Sequence, residues 1–136
     1  MLLLNLLIVG VMAATVSLSN RFFSPVELQD RFTEGQKLYA LGDYEKAIRH
    51  YGAILSTQSN SMIKVEEVEV SVDEFILPVR VAATYQLGNS YNKLGLELLL
   101  RSNYLRSEQK DAEADERYQE AVEKLNVSLE YFRKLA

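Results

Sequence analysis

The sequence predicts an all-α fold, with helical hairpins behind a single N-terminal membrane helix. Three observations carry this. Met1 to Leu18 contains no charged side chain. The rest of the chain spaces its apolar residues by three and four, the period of a helix buried along one stripe. Ser24-Pro25 and Gly42-Asp43 punctuate that pattern as helix starts and stops. A length of 136 residues fits one small domain.

Composition excludes more chemistry than it suggests. With no cysteine and one histidine, there is no disulfide, thiolate zinc site, thiol nucleophile or multi-histidine centre. A net charge of −4 offers no basic face for nucleic acid. Gly-rich phosphate loops, nucleophile elbows and His-Glu-x-x-His are absent. His50, between Arg49 and Tyr51, has no nearby serine or paired carboxylates and reads as an ordinary helix histidine. No catalytic residue, metal ligand or cofactor is expected, and the chain is not read as an enzyme.

The first segment, residues 1–20, admits two readings. About 19 helical residues from Leu2 to Asn20 reach roughly 28 Å, enough to cross a hydrocarbon core of about 30 Å. A cleaved secretory signal needs a basic n-region and small residues at the cut. The basic region is missing, and the cuts after Ala13 or Ser19 lack an Ala-x-Ala pattern. A retained anchor, with residues 2–18 in the membrane, is the leading expectation. Arg21, Arg31 and Lys37 lean toward a cytoplasmic helical domain by positive-inside counting, with the periplasmic or extracytoplasmic side left open. Gly10 and Ala14 form a small-xxx-small pair where another membrane helix can pack.

The second part, residues 24–136, is a helical domain. Ser24 as N-cap, Pro25 at the first helical position and Glu27 three residues past the serine form a capping box. The helix from Pro25 offers Leu28, Phe32, Leu38, Tyr39 and Leu41 to a partner, with Gly35 where only a hydrogen fits. Gly42 breaks it and Asp43 caps the next. That helix runs from Tyr44 to about Ser56, with Ala47, Ile48, Tyr51, Ile54 and Leu55 on one stripe.

Gly35, Leu38, Tyr39, Gly42-Asp43-Tyr44-Glu45-Lys46-Ala47-Ile48 and Tyr51 resemble a tetratricopeptide repeat, whose period is about 34 residues. A second, split copy starts at Leu87-Gly88-Asn89-Ser90-Tyr91 with Lys93-Leu94-Gly95 and resumes at Tyr118-Gln119-Glu120-Ala121-Val122. The resemblance implies two helical hairpins, the second with extended helices. Gly35 to Gly88 exceeds the period because of an inserted loop, residues 58–77. Within it Val68, Val70 and Val72 alternate as an extended segment, with no evident partner strand in the chain. It is expected to pack across its own helices, or else to add to a partner's sheet. Glu66, Glu67, Glu69, Asp73 and Glu74 form a solvated acidic edge open to a basic partner, without calcium-loop spacing.

Pro78 to about Ser107 reads as one long helix, apolar nearly all round at Leu94 to Leu100. Either the return helix, Ala112 to Leu135, covers that surface, or another chain or the membrane does. The charged stretch from Arg106 to Arg117 reads as a solvated turn and exposed helix ends.

The resemblance also implies a concave groove from the first helix of each repeat, offering Phe32, Gln36, Tyr39, Tyr85, Asn89, Asn92 and Lys93. Asparagine amides suit a peptide backbone and Lys93 a carboxylate. The expected function is a non-catalytic protein-interaction scaffold or accessory subunit of a membrane complex. The alternative is a soluble exported peptide-binding module with a cleaved signal. A third reading is a chaperone-docking adaptor, of whose basic clamp Lys93 alone is present. Two repeats fall short of the three usual for an autonomous solenoid, so protein partners or self-association are expected.

Overall fold

A computed structural model describes residues 23–136. The expected membrane helix, with Gly10 and Ala14, lies outside the described residues. Among those described, no helix is long and apolar enough to cross a membrane.

Four helices account for most of the described chain. Helix α1 spans Pro25–Ala40. Its first turn is closed by Ser24, whose hydroxyl accepts from the Glu27 N–H at 3.2 Å and donates to the Glu27 carboxylate at 3.1 Å. The helix stops because Gly42 sits at φ +80°, a left-handed conformation that costs an L side chain about 1–2 kcal/mol. In that geometry the Gly42 and Asp43 amides donate to the Tyr39 and Leu38 carbonyls, satisfying the open helix end. Asp43 then caps helix α2, Tyr44–Ser56, by accepting from the Lys46 N–H at 3.3 Å.

Helices α3, Val79–Ser107, and α4, Asp111–Arg133, form a longer antiparallel pair. Neighbours pack in chain order, α1 on α2, α2 on α3 and α3 on α4, while α1 also touches α3. Leu28, Tyr51, Ile54 and Leu87 are fully or almost fully buried between them, each apolar side chain stabilising by about 1.5–3 kcal/mol. Gly35 permits the α1–α2 crossing, since a Cβ there would lie 2.7 Å from the Tyr51 ring. The Leu41 side chain, expected to face a partner helix, is 81% exposed, because the chain turns out of the helix at that residue.

The insertion departs from an all-helical reading. Glu69–Val72 (β1) does have a partner within the chain, Phe75–Pro78 (β2). The two pair antiparallel, Val70 opposite Leu77 and Val72 opposite Phe75, around a turn in which Asp73 takes φ 54°. Val72 is buried and Val70 and Leu77 half-buried, so one face of the hairpin rests on the helices. The hairpin is anchored at its base, where Arg80 donates to the Thr57 carbonyl and contacts Glu66 at 3.2 Å.

The leucine-rich part of α3 is only partly covered by α4. Leu94, Leu98 and Leu99 are half-buried, whereas Leu96 is 42% and Leu100 69% exposed. Complete cover by the return helix, one of the two expectations, is thereby excluded. The α3–α4 turn is solvated as expected, with Gln109 at φ 61° and an exposed Arg106–Asp115 pair at 2.8 Å.

Candidate interaction site

The α1–α2 crossing and the α2–α3 packing bring the first helix of each hairpin side by side, which sets four of the seven expected groove residues on one surface. Gln36 is the junction. Its side-chain oxygen accepts from the Tyr51 hydroxyl and from Gln86 Nε2, the latter at 2.6 Å. Gln86 Oε1 in turn accepts from Asn89 Nδ2 at 2.9 Å. A continuous amide ladder therefore runs from α2 through α1 to α3.

Tyr39 and Tyr85 flank the ladder. Tyr39 is half-buried against Tyr44, with ring centroids 5.4 Å apart. Burial pushes its hydroxyl pKa up, with further contributions from Tyr44 and Tyr85. Tyr85 is 41% exposed, and its ring packs against Phe132 with centroids 6.2 Å apart. Asn92 is half-buried and Lys93 exposed one turn further along α3, and Lys93 forms no ion pair among the described residues. These two extend the surface without joining the hydrogen-bonded ladder.

Phe32 stands apart from the expected set. It is 2% exposed and tilted against Tyr51 at 5.5 Å between ring centroids. Its role is to floor the surface, because Gly35 lets α2 approach close enough to bury that ring. Gln86, which the spacing of the second helix did not single out, supplies the link between α1 and α3. A glutamine one residue after Tyr85 was the available signal.

Beside this ladder lies an open groove of about 600 Å³ between α1 and the hairpin, lined by Gln29, Phe32, Thr33, Gln36, Ser71 and Ile76 among others. With Glu69 and Val70 completing the lining, the groove combines uncharged hydrogen-bonding side chains, three apolar ones and a single carboxylate. The polar groups can hold a peptide-like backbone by exchanging hydrogen bonds but offer no nucleophile paired with a base.

No family model, curated protein or solved structure matches the chain.

His50 is a further titratable feature. Arg31 Nη1 lies 3.5 Å from His50 Nδ1, and the guanidinium also covers the Phe23 ring at 4.5 Å. Burial, then the Arg31 charge, lowers the histidine pKa against an opposing contribution from Glu34. This small cluster is structural in form, an imidazole held among helix side chains. Among the described residues, no group of three His, Cys, Asp or Glu side chains converges to hold a metal.

Proposed function

We propose that this protein is a non-catalytic interaction module of tetratricopeptide-repeat type, serving as a scaffold or accessory subunit that binds partner chains at a membrane. The observation that carries the reading is the Gln36–Gln86–Asn89 ladder bordered by Tyr39 and Tyr85. Gln36 and Asn89 are held by hydrogen bonds through the buried Gln86, and Tyr39 and Tyr85 by ring packing on Tyr44 and Phe132, which pre-orders this polar and aromatic set. Such surfaces bind protein at low conformational cost, because few rotamers remain to be frozen. The packing of each helix on the next, with the first helices touching, is the arrangement that the repeat resemblance implies.

Residues 2–18 tether this module to the membrane, their lack of any charge being the supporting feature. Partial exposure of Leu96, Leu100 and Tyr104 is compatible with work inside a larger assembly.

The test places a photo-crosslinking residue at Tyr85, Asn89 or Lys93 of the full chain in native membranes, with Glu45 as an off-site control. The same partner should crosslink from the three site positions and not from Glu45, and Asn89→Asp with Gln36→Leu should abolish capture. Equal labelling from all four positions overturns the site. An intact mass short by 13 or 19 residues in the soluble fraction replaces the membrane subunit with an exported module.

A further inference from the structure

The two outer edges of the β1–β2 hairpin differ. The Val79 N–H donates to the Val68 carbonyl at 2.7 Å, and the same ladder continues through Val70–Leu77 and Val72–Phe75. In an antiparallel ladder the intervening residues turn their N–H and C=O groups the other way. Glu69 and Ser71 therefore direct their backbone groups away from β2, toward the groove beside α1. The groove contains both residues and the facing side chains Gln29, Thr33 and Gln36.

One of these edge groups is already engaged as it would be by another strand. Gln29 Nε2 donates to the Glu69 carbonyl at 3.1 Å, a side-chain amide taking the place of a backbone N–H. The opposite edge, on β2, ends in Pro78, which has no N–H to give. On β1 there is neither proline nor lysine, the residues that commonly block an edge. The β2 edge thus lacks the donor at Pro78 and keeps only that of Ile76, whereas the β1 edge keeps donors at both Glu69 and Ser71 and borders the groove.

Charge selects what can enter. Glu66 is paired with Arg80 and Glu67 with Lys64. Glu69, Asp73 and Glu74 are exposed and form no ion pair among the described residues. A second copy of this hairpin would set these acids against each other across the new pair, which is unfavourable. A basic strand would meet them with opposite sign.

We propose that β1 receives an extended, basic peptide segment of a partner protein, which adds as a third strand in the groove between β1 and α1. Backbone pairing at Ser71, and at Glu69 once Gln29 swings aside, gives the attachment. The acidic rim selects basic side chains, and the exposed Ile76 at the groove offers apolar surface to the others. This rests on the partner-binding reading above and names the class of partner segment.

The test uses the full chain in nonionic detergent and a capped eight-residue peptide of alternating lysine and valine. An acidic peptide of alternating glutamate and valine is the control. Nuclear magnetic resonance should show the Ser71 amide protected from exchange by the basic peptide only. Ser71→Ala should bind equally. Ser71→Pro, which removes an N–H that β2 does not use, should weaken binding about tenfold, the equivalent of one lost hydrogen bond. Since proline can disturb the hairpin, Glu69→Lys with Glu74→Lys provides a backbone-neutral variant, and should reverse the preference toward the acidic peptide. No binding by either peptide, or binding unaltered in Ser71→Pro and in the charge reversal, overturns the proposal. If the edge fails while Tyr85 and Asn89 still crosslink a partner, this inference falls and the interaction module stands.

Discussion

Gln36 and Gln86, fifty positions apart in the chain, are joined by a hydrogen bond of 2.6 Å from Gln86 Nε2 to Gln36 Oε1. The same oxygen accepts the hydroxyl of Tyr51, whose ring is wholly buried. One acceptor thus satisfies donors from α2 and α3 at once. Replacing Gln36 by leucine leaves the buried hydroxyl without a partner, which costs about 1–3 kcal/mol. Gln36→Leu should lower urea-unfolding stability by that amount. Adding Tyr51→Phe should recover part of it, because the stranded hydroxyl is gone. Full additivity of the two losses would show that the ladder is not coupled.

The glycines at the α1–α2 crossing and along α2 should respond with opposite sign. At Gly35 a Cβ would sit 2.7 Å from Tyr51 Cε1, whereas at Gly52 it would meet nothing within 4 Å. Gly35→Ala forces the Tyr51 ring, and with it Phe32, to move, an overpacking cost of about 1–3 kcal/mol. Gly52→Ala only restricts the unfolded chain and improves helix propensity, so it should stabilise by about 0.5–1 kcal/mol. Thermal melts of the two variants check this directly, and a shift in the same direction for both would contradict the packing.

Helices α3 and α4 are tied by two buried serine bonds of matching form. Ser128 Oγ donates to the Gly88 carbonyl and Ser102 Oγ to the Ala114 carbonyl, each at 2.7 Å. Each serine-to-alanine change should cost about 1 kcal/mol. Fourteen residues of helix, about 21 Å, separate Gly88 from Ser102, so the double variant should lose the sum. The exposed Arg106–Asp115 pair near the turn makes the contrast: Asp115→Ala should leave the unfolding midpoint unchanged.

The helix boundaries were legible because their signals are local. Ser24, Pro25, Gly42 and Asp43 act on backbone groups within three or four residues, so the termini of α1 and the start of α2 could be placed from the sequence. β2 was not legible for the same reason. Phe75 to Pro78 has no alternation, ends in proline, and follows Asp73-Glu74 in place of a strong Asn-Gly turn signal. It becomes a strand only by pairing with β1. The candidate surface divides in a similar way. The repeat resemblance implies that Gln36, Tyr39, Tyr85 and Asn89 share one surface, but the burial of Phe32 is set by Tyr51 from another helix. The part played by Gln86 depends on where α3 lies against α1, which spacing alone does not fix.

His50 should give the fold a pH response in mild acid. Its pKa is lowered in the folded protein, first by burial and then by Arg31. The folded state therefore binds fewer protons than the unfolded one between the lowered value and the ordinary value of about 6.5. With the unfolded chain favoured by protonation, stability should fall as pH drops below about 6.5, and the His50 contribution should level off below the folded pKa. Arg31→Met removes the neighbouring positive charge and should reduce the slope; His50→Gln should remove this component of it. Urea titrations at steps from pH 7.5 to 5 measure both. An unchanged slope in His50→Gln would place the response on other groups, and a steeper one in Arg31→Met would reverse the assigned role of the guanidinium.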